Sequence, residues 1–381
     1  MSHLVDETCI SILGAGNGGH AFAAFVKDRG FRVKIWNRSN QKIKAIKKNR
    51  GITSQGLLEG HFSVDLATTS IKDVLKDSKL IMVVTSADAH KELAMKISRY
   101  LNKDQVIVLN PGRTCGALEV NHTIRDYCGS CKPQIAEAQS LLFVARSPQP
   151  AFVTIAGVKS KLPVATFPST NLQECLPLLK NINDSFCEAE TVLHTSFNNI
   201  GSIFHPAPLL LNAARCESEG VTYRHYIDGI TPTIAEFLEK MDQERVKVAS
   251  AYGIPAISLN KWLKIVYGSK GKTLYEKIQR TEQYSNVEAP STLNCRYIFE
   301  DVPTGLVPIS NLGAAIGVTT PHIDVIINLA NCMMKTNYSE TGRTIDSMGL
   351  TNIPTHLLKD YVTFGEEALL GISEEEVVLE E

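Results

Sequence analysis

The stretch SILGAGNGGHAFA, residues 11–23, sets Gly14, Gly16 and Gly19 at G-x-G-x-x-G spacing and constrains the fold more than any other part of the chain. A glycine triplet alone is weak evidence, so its flanks decide. Before it, CISIL is an apolar, β-favouring run that reads as a buried strand. After it, GHAFAAFVKDRG spaces Phe22, Phe25 and Val26 helically and stops at Gly30. FRVKIWN then alternates as a second strand. Together these form a β-α-β unit of the kind that opens a dinucleotide-binding domain. Gly14 permits the tight turn, Gly16 lets a pyrophosphate approach the backbone, and Gly19 lets helix and strand pack closely. Asn17 and Gly18 complete the loop, and the helix N-terminus faces the phosphates. A purely structural glycine turn accounts for less of this pattern.

The second strand ends at WNRS, where the residue that reads the adenosine ribose is expected, about 20 residues past the glycines. An acidic residue there holds the ribose diol of NAD. This chain offers Asn37, which carries no charge to repel a 2′-phosphate, and Arg38, which can clamp one. The reading therefore favours NADP(H) and keeps NAD(H) open, since an arginine that only stacks on adenine suits either cofactor.

The chain has 381 residues, enough for two domains. Its 44% hydrophobic and 21% charged residues are ordinary for a globular protein, and a net charge of −1 gives no basic surplus for a nucleic-acid backbone. No apolar run approaches the roughly 18 residues of a membrane span, and MSHLVDETC lacks the basic and apolar regions of a signal peptide. Nine scattered cysteines argue against a disulfide framework and fit a reducing cytoplasm. Cys128 and Cys131 make one C-x-x-C without a second ligand pair, which reads as two free thiols in a loop. The acidic SEEEVVLEE reads as a solvated tail.

KLIMVVTSADAHKELAMKI and QVIVLNPGRTCGALEV each read as strand, turn and helix, which puts Thr85 and Pro111 at strand C-terminal ends, the edge that faces the cofactor. GITSQGLLEGHFSVDLATTS reads as a small β excursion, and QIAEAQSLLFVAR and AFVTIAGVKSKLPVATFP as further strands. Near residue 190 helical spacing takes over. The expected architecture is an α/β Rossmann domain over residues 1–190, then a mostly α-helical domain over 191–381 for substrate and catalysis. The polar GSKGKTLYEKIQRTEQYSNVEAPSTLN is expected to be loop-rich, a candidate flap.

Three features of the second half can carry chemistry. In NNIGSIFHPAP, His205 precedes a proline, and Asn198 lies two helical turns back and could share its face. In TTPHID, Thr320 reads as an N-cap, Pro321 as the first helical residue and Asp324 as a first-turn acid. RYIFEDVPTGLVPISNLG pairs Glu300 with Asp301. On spacing alone the plainer readings win: a core histidine, an acid placed for the helix dipole, and a solvated acidic turn.

ILGAGNGGHAFA, NPGRTCGALE, AEAQSLLFVAR, NNIGSIFHPAPLLLNA, YIDGITPTIAEFLEKMDQERVKVASAYG, EDVPTGLVPISNLGAAIGVTTPHIDVIINLA and TGRTIDSMGL resemble, in this order, blocks of the octopine/nopaline (opine) dehydrogenase family. The first block is common among dehydrogenases; the His-Pro and EDVPTGLVP blocks are far more specific. The resemblance implies a Rossmann domain, a helical domain and an active site in the cleft between them. It implies NAD(P)H-dependent condensation of a 2-keto acid, pyruvate or 2-oxoglutarate, with an amino acid. It also implies a catalytic histidine–aspartate pair, assigned to His205 as general acid/base and Asp324 as its orienting anion. His322 is a lesser rival without the family match, and Asn198 is a candidate hydrogen-bond donor to substrate or nicotinamide.

The product of that reaction carries at least two carboxylates, so cationic anchors are expected among Arg113, Arg146, Arg224 and Arg296, with Arg113, just past a strand end, foremost. The partners are small molecules, with neither nucleic acid nor membrane, and a homodimer is left open. Two alternatives stand beside this reading. One is a keto or hydroxy acid reductase of the same architecture, which typically uses a lysine. The other is a non-catalytic NAD(P)-binding sensor.

Overall fold

The computed structural model describes residues 8–128 and 133–370. Among the described residues twelve strands follow in chain order: β1 (Cys9–Leu13), β2 (Arg32–Trp36), β3 (Gly51–Gly56), β4 (Gly60–Ser63), β5 (Leu66–Thr68), β6 (Leu80–Val83), β7 (Val106–Leu109), β8 (Gln134–Ala138), β9 (Phe143–Arg146), β10 (Phe152–Val158), β11 (Leu162–Phe167) and β12 (Phe186–Glu188). Eight form a sheet in the order β12-β11-β8-β7-β6-β1-β2-β5, and four form a smaller sheet, β4-β3-β10-β9. In the large sheet every neighbouring pair is parallel except β8 with β11. CISIL, LIMV and VIVL are buried at every position, as strands covered on both faces must be. The short outer strands β5 and β12 limit the exposed edges.

By contact the described chain divides into two compact units. The first runs to Gly112, resumes over Gly116–Thr195 and takes back Tyr361–Ala368; the second comprises Arg113–Cys115 and Ser196–Asp360, with Leu369 and Leu370. In the first, helices α1 (Asn17–Asp28), α2 (Asn40–Asn49), α3 (His90–Ser98), α4 (Gly116–Cys128) and α5 (Leu172–Ile182) alternate with the strands. Phe22 of α1 meets Phe143 edge to face at 4.8 Å, anchoring the small sheet to the glycine-loop helix. Each large side chain so buried contributes roughly 1.5–3 kcal/mol. The chain winds from β1 to β2 on one side and from β6 to β8 on the other, so the glycine loop, Thr85 and Pro111 all leave the sheet at its carboxyl edge beside this reversal. Of the C-x-x-C pair, Cys128 ends α4 and Cys131 lies outside the described residues, as does the acidic tail.

The second unit is helical: α6 (Gly201–Phe204), α7 (Pro206–Leu211), α8 (Pro232–Ala251), α9 (Leu259–Tyr267), α10 (Leu274–Gln279), α11 (Arg296–Phe299), α12 (Val307–Ala315) and α13 (Pro321–Met334). The segment expected to be loop-rich is mostly irregular and carries one short helix. Thr273 caps α10, whose Leu274 and Ile278 are buried, and Tyr284 stacks on Tyr226 at 3.9 Å. Burial of those few apolar side chains outweighs the polar composition around them. No helix among the described residues is long and apolar enough to cross a membrane.

Each unit buries a neutral histidine. In the first, His20 Nδ1 lies 3.1 Å from Ser147 Oγ, and its Nε2 accepts from Ala151 N–H at 3.3 Å. In the second, His225 Nε2 donates to the Phe204 carbonyl at 3.1 Å. Burial lowers both to about 4, helped by the charge of Lys42 at His20 and of His205 at His225. A histidine whose folded pKa lies below its unfolded value favours the folded state fully above about 6.5 and loses that advantage as pH falls towards 4. Each loss is worth about 3 kcal/mol. Urea unfolding is therefore expected to show a steep drop in stability between pH 6.5 and 4.5, with about two protons taken up on unfolding. A flat profile over that range contradicts the assignment.

Candidate active site

The glycine loop lies at the N-terminus of α1. The peptide N–H of Gly14 donates to the Trp36 carbonyl at 2.9 Å, closing the turn onto β2. Gly18 presses on Val84 and Leu141, and Gly19 lies against the Gly14 carbonyl. Beyond Gly16, by contrast, nothing lies within 4 Å of where a side chain would start. Asn17 Oδ1 accepts from Ser147 N–H at 2.9 Å, so this residue braces the β9–β10 hairpin. Asn37 Oδ1 accepts from Ala15 N–H at 3.2 Å, so it shapes the loop from the tip of β2, while Arg38 beside it is exposed. At the ends of β6 and β7, Thr85 Oγ1 and Asn110 Oδ1 are buried without a hydrogen-bond partner. Buried polar atoms are rarely left so, and two of them at this edge mark a place for a polar ligand. Together with the open approach at Gly16, they fit a bound dinucleotide.

The second constellation centres on His205, at the hinge between α6 and α7. Pro206 lacks an N–H and occupies the first position of α7, so the helical run restarts there. His205 Nδ1 lies 2.8 Å from Asp301 Oδ2. An ionised carboxylate only accepts, so the proton belongs on Nδ1 and the lone pair on Nε2. The imidazole is partly exposed at 19%, and among the described residues nothing hydrogen-bonds Nε2. Gly305 makes the approach possible: a side chain there would start 2.5 Å from Ser202 Cβ on α6.

Asp301 is 1% exposed and Glu300 is fully buried. Arg113 answers both. Its Nε donates to Glu300 Oε1 at 3.3 Å and its Nη1 lies 3.3 Å from Asp301 Oδ1, at an angle that makes an ion pair rather than a hydrogen bond. Arg296 Nε donates to the other Glu300 oxygen at 2.6 Å. Burial works against the charge of Arg113, but Asp301 and Glu300 outweigh it and hold the guanidinium proton well above its ordinary pKa. The backbone of Arg113 is left-handed, with φ of 62°. A non-glycine residue in that region signals a position that its surroundings enforce.

Three sequence expectations change here. Asp324 does not meet His205; its Oδ1 accepts from Ser310 Oγ at 2.6 Å and Thr320 Oγ1 at 3.1 Å, tying the start of α13 to α12. The acidic turn of Glu300 and Asp301 is no solvated turn but the buried partner of His205 and Arg113. Asn198 shares no helix with His205, because the chain turns between Phe197 and Gly201; its Oδ1 accepts from Ile257 N–H at 2.9 Å instead. His322, the rival histidine, lies 2.6 Å from Glu244, whose carboxylate also accepts from the N–H groups of His322 and Ile323 and caps α13. Arg224 pairs with Asp228 at 2.6 Å on the surface, and Arg146 is exposed at the end of β9.

Comparisons with known proteins find similar chains over most of the sequence. Residues 188–334 match the family described as NAD/NADP octopine/nopaline dehydrogenase, alpha-helical domain, and residues 9–113 match the NAD-dependent glycerol-3-phosphate dehydrogenase N-terminus. The chain is 38% identical over 351 residues to an opine dehydrogenase of Arthrobacter sp. (strain 1C), covering 92% of this chain and 97% of the relative. It is 24% identical to a D-nopaline dehydrogenase of Agrobacterium vitis, over 89% of each chain. An octopine dehydrogenase solved with NADH and L-arginine superposes with a TM-score of 0.77 at 19% identity, covering 94% of this chain and 98% of that one. A yersinopine dehydrogenase solved with NADP+ gives 0.73 at 15%, covering 95% and 99%.

Proposed function

The chain belongs to the octopine/nopaline (opine) dehydrogenase family, an NAD(P)-dependent oxidoreductase acting on CH–NH bonds by reductive condensation of a keto acid with an amino acid, and from that premise we propose that His205 and Asp301 carry its proton chemistry. The carrying observation is the 2.8 Å contact at His205 Nδ1, which leaves Nε2 as an open base. The amine nucleophile must lose a proton before it attacks the keto carbon. The resulting carbinolamine must then lose water, which needs a proton delivered to its hydroxyl. One histidine near neutral pH can take the first proton and return it for the second. Asp301 keeps the imidazole in the productive tautomer and stabilises the imidazolium formed in between. Arg113 pairs with both Asp301 and Glu300 and holds them in place. A nicotinamide cofactor, when bound, would supply the hydride for reduction of the imine. Gly14, Gly16, Asn17, Gly18 and Gly19 would hold its pyrophosphate, with Asn37, Arg38, Thr85 and Pro111 around the rest.

The reading extends to NADPH over NADH, supported by the lack of an acid at the tip of β2 and by the exposed Arg38 there. The substrates follow the relatives: an octopine dehydrogenase has been solved with L-arginine and with pyruvate, so a small 2-keto acid and an α-amino acid are proposed here. A cytoplasmic site belongs to the same proposal. The test is oxidation of NADPH and NADH with pyruvate or 2-oxoglutarate, with and without a panel of amino acids. Oxidation that needs both keto acid and amine, faster with NADPH, is the expected result. Amine-independent oxidation would turn the reading to a keto acid reductase, and a preference for NADH would remove the role given to Arg38.

A further inference from the structure

One short segment, RYIFED, carries two pairs of side chains, each spaced one helical turn apart. Arg296 and Glu300 pair across one helical turn at 2.6 Å. Tyr297 and Asp301 stand in the same relation one residue later, so they share a face of the same helical run. Both reach the same imidazole. Asp301 meets the ring edge at Nδ1, 2.8 Å away. The Tyr297 ring lies flat against the imidazole face, with centroids 4.2 Å apart and planes within 9°. A hydrogen bond to one nitrogen leaves a ring free to rock about that bond. A parallel aromatic plane removes the rocking. Beyond Asp301 the helical run passes through the π turn Val302–Leu306, a local irregularity that often accompanies functional positions.

His225 lies beside the stack rather than behind it, with its ring 4.9 Å from that of Tyr297 and 6.4 Å from that of His205. It is fully buried and neutral, and its Nε2 is tied to the Phe204 carbonyl, so it flanks both rings without offering a competing charge. We propose that Tyr297 is a positioning residue for His205, and that Tyr297 and Asp301 form a two-point clamp in which the ring stack fixes the imidazole plane and the carboxylate fixes its tautomer. The inference rests on the proposed role of His205. A stack of this kind also favours the imidazolium, because the π face attracts positive charge. The other groups facing the ring are Asp301, Arg113 with Glu300 behind it, and His225.

The test compares Tyr297→Leu with Tyr297→Phe. Misplacing a reacting group by about 1 Å costs about a hundredfold. Tyr297→Leu is therefore expected to lower kcat by roughly 10- to 100-fold with KM little changed. Tyr297→Phe, which keeps the ring, should recover most of that loss. The acid limb of the kcat profile should move down by about half a pH unit in the leucine variant. Histidine ¹⁵N shifts of the ligand-free protein give a readout that needs no substrate. In Tyr297→Leu the His205 signal is expected to titrate lower by the same amount, and in Tyr297→Phe to stay near the parent. If both variants lose activity equally, the hydroxyl and not the stack matters, and the clamp is wrong. If Tyr297→Leu leaves the His205 titration and kcat in place, the clamp is also wrong. A protein that shows the expected ¹⁵N shifts but never turns over substrate keeps the clamp and overturns the reaction instead.

Discussion

Asp301→Asn is expected to lower kcat by about 10³- to 10⁴-fold, while Asp324→Asn should stay within about one order of magnitude of the parent. The two acids are separated by what they touch. Asp301 Oδ2 receives the Nδ1 proton of His205, and an amide in its place can turn its NH₂ towards the ring. That reverses the tautomer, protonates Nε2 and removes the base, while size and packing stay the same. Arg113 keeps Glu300 as a partner, so the cluster retains a counter-charge and the variant should fold. Asp324 accepts two hydroxyl hydrogen bonds at one oxygen, which an asparagine oxygen can also accept. Its loss of charge is felt at the start of α13 as a stability change of about 1 kcal/mol. Steady-state kinetics on both variants, with cofactor affinity measured by fluorescence as a check on folding, decides the matter. The reverse ranking would return the orienting role to Asp324.

The Rossmann half was legible because its demands are local. A strand buried on both faces must be continuously apolar, and CISIL, LIMV and VIVL are. A phosphate loop must place glycines at fixed offsets, and Gly14, Gly16 and Gly19 do. The strand ends at Thr85 and Pro111 followed from the same pattern. His205 was legible only through the His-Pro block, because a lone histidine in an apolar run has no periodic signature. Its partner was not. Asp301 lies 96 positions away, and no short-range rule links them. The resemblance pointed to an acid, and the first turn of a helix looked a natural place for it. The pairing was decided instead by the approach of α6 to the π turn, through Gly305 and Ser202. Burial of Glu300 and Asp301 was equally hidden, since two adjacent acids before a proline look solvated until Arg113 is brought beside them from 187 positions away. Tyr297 carried no sequence signal at all. Its role depends on a ring plane, which only coordinates supply.

Gly16→Ala and Gly19→Ala are expected to fail in opposite ways, and the contrast tests the loop assignment. At Gly19 an added Cβ would sit 1.7 Å from the Gly14 carbonyl oxygen, a backbone atom with no freedom to move aside. The turn must open, at a cost of about 3 kcal/mol or more, and the thermal midpoint should fall by roughly 5–10 °C. At Gly16 the φ of −102° suits alanine, and nothing lies within 4 Å of the new methyl. That variant should melt within about 2 °C of the parent. The space it fills is the space a pyrophosphate needs to reach the α1 N-terminus, so NADPH affinity should drop about a hundredfold, some 2.7 kcal/mol. Calorimetry for stability and fluorescence titration for cofactor separate the two effects. A Gly16→Ala protein that binds NADPH as the parent does would mean that the room beside Gly16 is not where the phosphates lie. The GAGNGG loop would then be only a tight connection between β1 and α1.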